Sequence, residues 1–255
     1  MEKLKVIKIG GNVIDNPAKL EAFLASFATM KGHRILVHGG GAVASRTLQA
    51  MGIAPKMIEG RRVTDADTLQ VVTAVYAGLI NKTIVATLQK YGCNAAGLSG
   101  ADCNAIVSAK RAATPIDYGF VGDVKSVNAR AFSMFLDNGI TPVVCAINHD
   151  GCGTLLNTNA DTVASSIATA MGNRYDTELV LCFEKDGVLL DKDDASSVIP
   201  EIDSALFAKL KAEGRISEGM LPKLKNAFDA IAGGVSKVTV KNSDNLTDDT
   251  GTTIR

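Results

Sequence analysis

Tryptophan is absent from the 255 residues, and aromatic side chains make up only 5% of them. So few ring faces give little on which to stack nucleic-acid bases. An excess of one charge sign is missing too: 27 Lys and Arg stand against 27 Asp and Glu. Without a net charge the chain has no global field to gather nucleic acid or an acidic membrane, so neither is expected as a partner, and an anion site must be assembled locally. No CxxC pair joins the five cysteines, Cys93, Cys103, Cys145, Cys152 and Cys182. Their odd number and their spacing exclude zinc and disulfide frameworks, so no metal-ligating residue is assigned. They are expected to be small apolar core residues in a reducing compartment. No uninterrupted apolar run reaches membrane-spanning length, and the opening MEKLKVIKIGG enters a strand pattern without a signal region. A cytoplasmic protein is the expectation. Two phosphate motifs are absent as well: GxxxxGK[ST] and GxGxxG both fail to occur, which excludes a Walker loop and a Rossmann dinucleotide turn.

What is present is alternation. Apolar strand runs (Leu4–Ile9, RILVH at 34–38, Thr141–Ile147, Leu179–Phe183) are separated by segments of helical periodicity. The helical segments are 17–30, 42–51, about 66–90, 129–138, 159–171, 204–213 and 221–232. Asn16, with Pro17 at the first helical position, and Asp65 are placed to cap two of them. A hairpin is expected over 55–64, an irregular sheet patch over 95–127, a DGVLL turn-and-strand after Phe183, and closing strands at KVTV and GTTI. Continuous apolar strands between helices predict a mainly parallel sheet covered on both faces, a three-layer α/β/α sandwich. Two lobes on one continuous sheet are expected, residues 1–156 and 157–255.

Two strands end in glycine clusters followed by helices: Lys8-Ile9-Gly10-Gly11-Asn12 and His38-Gly39-Gly40-Gly41-Ala42. In open α/β sheets ligands bind at the carboxyl ends of strands, where glycine lets backbone N–H groups approach an anion. Glycines also simply terminate strands, but two such turns in one sheet favour an anion nest. Lys8 interrupts an apolar strand, which is costly unless its ammonium meets an anion. The arginine pair in Gly60-Arg61-Arg62-Val63-Thr64-Asp65 precedes a capped helix and suits a carboxylate. Asp161 falls in the first turn of a helix opened by Asn157-Thr158-Asn159, where an acid is often only a dipole or capping residue. Lys223, behind Leu221 and Pro222, sits in a helical first turn, where a cation is electrostatically misplaced. A broken local rule of this kind marks a candidate functional site.

This ordered set resembles the amino-acid kinase superfamily, most closely its N-acetylglutamate kinase family. The resemblance spans the chain through VIKIGGN, VHGGG, GRRVTD, AGLINK, LLNTNAD, DGVL, EGMLPKL and the terminal GTTI. It implies transfer of the γ-phosphoryl group of ATP to the γ-carboxylate of an N-acyl-L-glutamate, a step of arginine biosynthesis. By the same resemblance Lys8 and Lys223 flank the moving phosphoryl group and Asp161 holds them. Gly11 and Gly40 donate N–H groups. Arg62 and Asn157 bind the substrate α-carboxylate in a pocket lined by Gly40 and Gly41. Gly10, Gly11, Lys185, Asp186 and Gly219 serve the nucleotide, and Mg²⁺ is held chiefly by phosphate oxygens. The N-terminal lobe is expected to hold acylglutamate and to dimerise, the C-terminal lobe to hold ATP. The family's arginine-inhibited members carry an extra N-terminal helix that this sequence does not show, so an arginine-insensitive homodimer is expected. The nucleotide strand reads CFEKDGVL where the family more often has TDVDGVL-like sequence. Three alternatives stand beside this reading: the same reaction on N-succinyl-L-glutamate, a sister kinase acting on carbamate or aspartate, and a non-catalytic ligand sensor.

Overall fold

The structure, a computed structural model, describes residues 1–191, 193–216 and 220–255. The chain opens with β1 (Lys3–Ile9), α1 (Gly11–Ile14), α2 (Pro17–Thr29), β2 (His33–His38) and α3 (Gly41–Ala50). A small hairpin, β3 (Met57–Ile58) and β4 (Arg61–Arg62), leads into a continuous helix from Ala66 to Lys90. This helix is α4 (Ala66–Thr73) and α5 (Asn81–Lys90), joined by a π-helical stretch at Ala74–Ile80. Next come β5 (Ala95–Leu98), β6 (Ile106–Lys110), β7 (Gly122–Val127), α6 (Ala129–Asp137), β8 (Thr141–Cys145), β9 (Ile147–His149) and β10 (Leu155–Asn157). The remainder is α7 (Ala160–Met171), β11 (Asp176–Phe183), β12 (Glu201–Ile202), α8 (Ser204–Ala212), α9 (Leu221–Ala232), β13 (Lys237–Asn242) and β14 (Thr252–Ile254).

Among the described residues, eight strands form one sheet in the order β12-β14-β13-β11-β1-β2-β8-β5. Every neighbouring pair is parallel except β13 with β14. From β1 the chain moves outward through β2, and from β11 it moves the opposite way through β13. The boundary between β1 and β11 is therefore a switch point, where a crevice opens beyond the carboxyl ends of the strands.

Side-chain alternation along β1 decides which helices each residue meets. Leu4 and Val6 join Ile35, Val37, Leu179 and Val238 in a core closed by α6, α7 and α9. Ile7 and Ile9 enter a second core, beneath α2, α3, the π stretch and α5. Helices thus cover both faces of a mainly parallel sheet, the three-layer sandwich predicted from the strand and helix pattern. Each fully buried Leu or Ile contributes about 1.5–3 kcal/mol. Lys8 shares the parity of Leu4 and Val6, so it faces the layer that supplies α7 and α9.

Local signals hold where they were expected. Asn16 accepts the N–H groups of Ala18 and Lys19, and Asp65 accepts that of Thr68. Four expectations are corrected. Thr141–Ile147 is two strands, because the Ile147 carbonyl turns to accept Gly100 N–H and Ile147 begins a second, four-stranded sheet of order β10-β9-β6-β7. Among the described residues, the DGVLL segment pairs only through an isolated bridge between Leu189 and Val198. Cys93, Cys145 and Cys182 are core residues, but Cys103 and Cys152 are exposed. The patch expected over 95–127 is divided, because Ala95–Leu98 forms β5 beside β8 at the edge of the main sheet, an apolar run too short to stand out in the sequence.

The Ala66–Lys90 helix is long and apolar enough to cross a membrane by length and composition alone. Its apolar residues Val72, Ile80, Ile84 and Leu88 are instead buried against the sheet.

Candidate active site

Three ionisable residues far apart in sequence meet at the switch point. Lys8 lies at the carboxyl end of β1, Asp161 in the first turn of α7 and Lys223 in the first turn of α9. Lys8 Nζ is 2.7 Å from Asp161 Oδ1. Lys223 Nζ donates to Asp161 Oδ2 at 2.9 Å. Asp161 does not cap its helix, because Asn159 does so by accepting the N–H groups of Asp161 and Thr162. The carboxylate is therefore left to the lysines. Burial acts to raise its pKa, but the charges of Lys8 and Lys223 outweigh burial and hold it at about 2. Lys8 is only 8% exposed. Two ammoniums against one carboxylate leave one positive charge over, which suits a ligand more anionic than the site itself.

Both glycine turns border this centre. Gly10 precedes α1, and Lys8 Nζ lies 4.0 Å from where a Cβ on Gly10 would stand. Gly40 precedes α3 with φ 149°. A Cβ on Gly40 would come within 2.2 Å of Ile80 Cδ1, so only glycine fits there. Among the described residues, the N–H groups of Gly11, Gly40 and Gly41 have no acceptor within the fold. Such unpaired donors at the ends of strands form an anion-binding concavity.

Beside them lies a cavity of about 190 Å³, lined by Gly39–Gly41, Arg62, Tyr76, Asn157 and their neighbours. Arg62 is 7% exposed, and its Nη2 donates to Gly41 O and Ser45 Oγ, each at 2.8 Å. Its Nη1 is buried without a partner. A guanidinium pinned on one side and unsatisfied on the other is prepared for a carboxylate. Asn157 reaches the same cavity from β10, where its Nδ2 donates to Thr64 Oγ1 at 3.0 Å. Thr64 is buried and bonds back to Arg62 O, so hairpin and strand end hold each other.

A second cavity, of about 330 Å³, lies between Lys185-Gly187-Val188-Leu189 and Arg215, Ile216 and Met220. Lys185 lines it, whereas the Asp186 carboxylate accepts from Asn242 Nδ2 at 2.9 Å. Gly219 and Glu218 lie outside the described residues. Among the described residues no group of three or more His, Cys, Asp or Glu side chains is arranged to hold a metal ion.

Sequence reasoning missed three participants. Ser45 fixes Arg62, and nothing in a helical GAVASRTL segment marks it. His38 and Asn81 pair behind the second glycine turn, 43 positions apart, with Nε2 and Nδ2 3.0 Å from each other. Asn81 sat inside the AGLINK stretch, and only the polar break in that apolar run could have drawn attention to it.

The amino acid kinase family model matches residues 3–242. Acetylglutamate kinase of Cytophaga hutchinsonii is 53% identical over 247 residues, 96% of this chain and 94% of the relative. Acetylglutamate kinase of Bacteroides thetaiotaomicron is 50% identical over 254 residues, 100% of this chain and 99% of the relative. Among solved structures, carbamate kinase from Giardia lamblia bound to AMP-PNP superposes with a TM-score of 0.66 at 15% identity. That superposition covers 99% of this chain and 98% of the kinase, and it speaks for the fold alone. With its fold, its lysine-carboxylate centre and these relatives, the chain belongs to the amino acid kinase family, among the acetylglutamate kinases.

Proposed function

We propose that the protein transfers the γ-phosphoryl group of ATP to the γ-carboxylate of N-acetyl-L-glutamate, giving the acyl phosphate and ADP, as a step of arginine biosynthesis. The observation that carries this reading is the Lys8-Asp161-Lys223 cluster set beside a cavity holding an unsatisfied arginine N–H. The reaction brings one anion onto another. The attacking carboxylate already carries its electron pair, so no general base is needed, and positioning with charge stabilisation does the work.

Each group then has a role. Arg62 and Asn157 take the α-carboxylate, and Gly40 and Gly41 line that pocket. The γ-carboxylate is thereby directed towards the switch point. Lys8 and Lys223 lie on either side of the transferring phosphoryl group and neutralise charge on its oxygens, with Gly11 and Gly40 donating N–H groups. Asp161 keeps the two ammoniums together in the absence of substrate. Gly10, Gly11, Lys185, Asp186 and Gly219 serve the nucleotide, whose base and ribose suit the cavity beside Lys185. Mg²⁺ arrives as part of the MgATP substrate, held through phosphate oxygens and water. Residues 1–156 form the acylglutamate lobe and residues 157–255 the nucleotide lobe of a cytoplasmic homodimer.

The names of the relatives favour the acetyl group over the succinyl one. Steady-state assays with N-acetyl-L-glutamate and N-succinyl-L-glutamate decide between them. The acetyl substrate is expected to give the higher kcat/KM, and the reverse order would overturn the assignment.

A further inference from the structure

His38 is fully buried at the end of β2, next to the glycine turn, and the reaction described above does not use it. Its Nδ1 lies 2.9 Å from Gly39 O and its Nε2 3.0 Å from Asn81 Nδ2. A carbonyl oxygen only accepts, so Nδ1 carries the proton. Nε2 then offers its lone pair to the Asn81 amide, and the ring is a neutral imidazole in one tautomer. Burial, which lowers its pKa to about 4, favours the same neutral form.

Asn81 is itself held from three sides. Its Nδ2 also donates to Val143 O at 2.9 Å, and its Oδ1 accepts from Lys82 Nζ at 3.2 Å. Gly97 makes room for it, since a Cβ there would stand 1.8 Å from Asn81 Oδ1. Asn81 follows directly on the π-helical stretch, whose widened turn shifts the register of the side chains beyond it. Ile80, the last residue of that stretch, sits where a Gly40 Cβ would go.

The consequence follows from peptide geometry. The carbonyl of Gly39 and the N–H of Gly40 belong to one rigid trans peptide plane and point in opposite directions. Anchoring the oxygen to His38 turns the Gly40 N–H away from His38. Gly40 lines the cavity, and its N–H has no acceptor among the described residues. We propose that His38, fixed by Asn81, is a positioning residue that aims the Gly40 N–H at the bound anion. The identity of that anion rests on the reading above; the aiming of the N–H does not.

The test uses H38A, H38N and H38Q in the full chain. An asparagine amide reaches the Nδ1 position and restores the donor to Gly39 O. A glutamine amide reaches the Nε2 position and meets only Asn81. H38A is expected to lower kcat about tenfold, the loss of one oriented hydrogen bond to the transferring phosphoryl group. H38N recovers most of that turnover and H38Q does not, with the KM values for both substrates little changed in all three. A merely structural role predicts losses that follow thermal stability rather than the Asn/Gln difference, and that result would overturn the proposal.

NMR supplies a readout that needs no substrate. The wild-type His38 ring should show a protonated Nδ1, and the Gly40 amide resonance should move in H38Q and stay near its wild-type position in H38N. A protonated Nε2, or a Gly40 amide indifferent to both substitutions, sinks the idea. Wild-type protein that shows these signals without phosphorylating N-acetyl-L-glutamate would refute the substrate reading and leave the positioning role standing.

Discussion

Lys8 and Lys223, 215 positions apart, grip the two oxygens of one carboxylate: Asp161 Oδ1 lies 2.7 Å from the first ammonium and Oδ2 2.9 Å from the second. The strand supplies one cation and the start of a helix the other, each at some cost to its own element. Held so closely, the two would repel without Asp161 between them. The arrangement leaves one positive charge over, which suits an incoming anion.

Removing either lysine should therefore cost turnover rather than folding. Lys8→Ala is expected to lower kcat by about 10²–10³, the scale of losing one preorganised charge-stabilising donor. Lys223→Ala should fall in the same range. Steady-state kinetics beside a thermal melt check this. Near-normal turnover in a folded Lys8→Ala protein would remove Lys8 from the chemistry.

Arg62 makes a different prediction, because its Nη1 is buried without a partner and the proposed role is binding rather than chemistry. Arg62→Ala should raise the KM for N-acetyl-L-glutamate by about 10²-fold, as expected for a lost charge-assisted pair. The KM for ATP should change little. A proportional rise in both would mean that the substitution loosens the whole site rather than one pocket.

Asp161 gives a pH dependence with a definite sign. Its carboxyl titrates at 3.8 when unperturbed and at about 2 in the fold. The folded value is the lower one, so its contribution to stability is present above about pH 4. That contribution is lost as pH falls through 2, and it amounts to about 2 kcal/mol. Urea unfolding from pH 6 down to pH 2 should show this loss in the wild type and not in Asp161→Asn. Parallel curves for the two proteins would contradict it.

Gly40 tests the close packing behind the turn. Gly40→Ala meets both an unfavourable positive φ and a Cβ 2.2 Å from Ile80 Cδ1. It should destabilise the fold by about 2 kcal/mol or more, as overpacking and backbone strain do. Chemical denaturation measures this, and an unchanged midpoint would mean that the turn adapts.

The sequence was most informative where a residue violated its own local rule. Lys8 in an apolar strand and Lys223 at a helix start both stood out, and β1 alternation places Lys8 on the face that α7 and α9 cover. Asp161 was ambiguous until Asn159 proved to be the cap. The layer architecture followed from strand and helix periodicity. Long-range pairings did not: no local pattern predicts that Asn81 meets His38, that Ser45 meets Arg62 or that Ile80 occupies the space above Gly40. The break after Cys145 was equally hidden, since an apolar run looks the same whether it stays in one sheet or crosses into another.

The central claim concerns an acyl phosphate, and hydroxylamine traps such a product as a hydroxamate. The deciding measurement is hydroxamate formed by the purified protein from MgATP and N-acetyl-L-glutamate, with Lys8→Ala run in parallel. The account predicts ATP-dependent hydroxamate from the wild type and a signal about 10²-fold or more weaker from the variant. No hydroxamate from the wild type at saturating substrates, or equal rates from the two proteins, would contradict it.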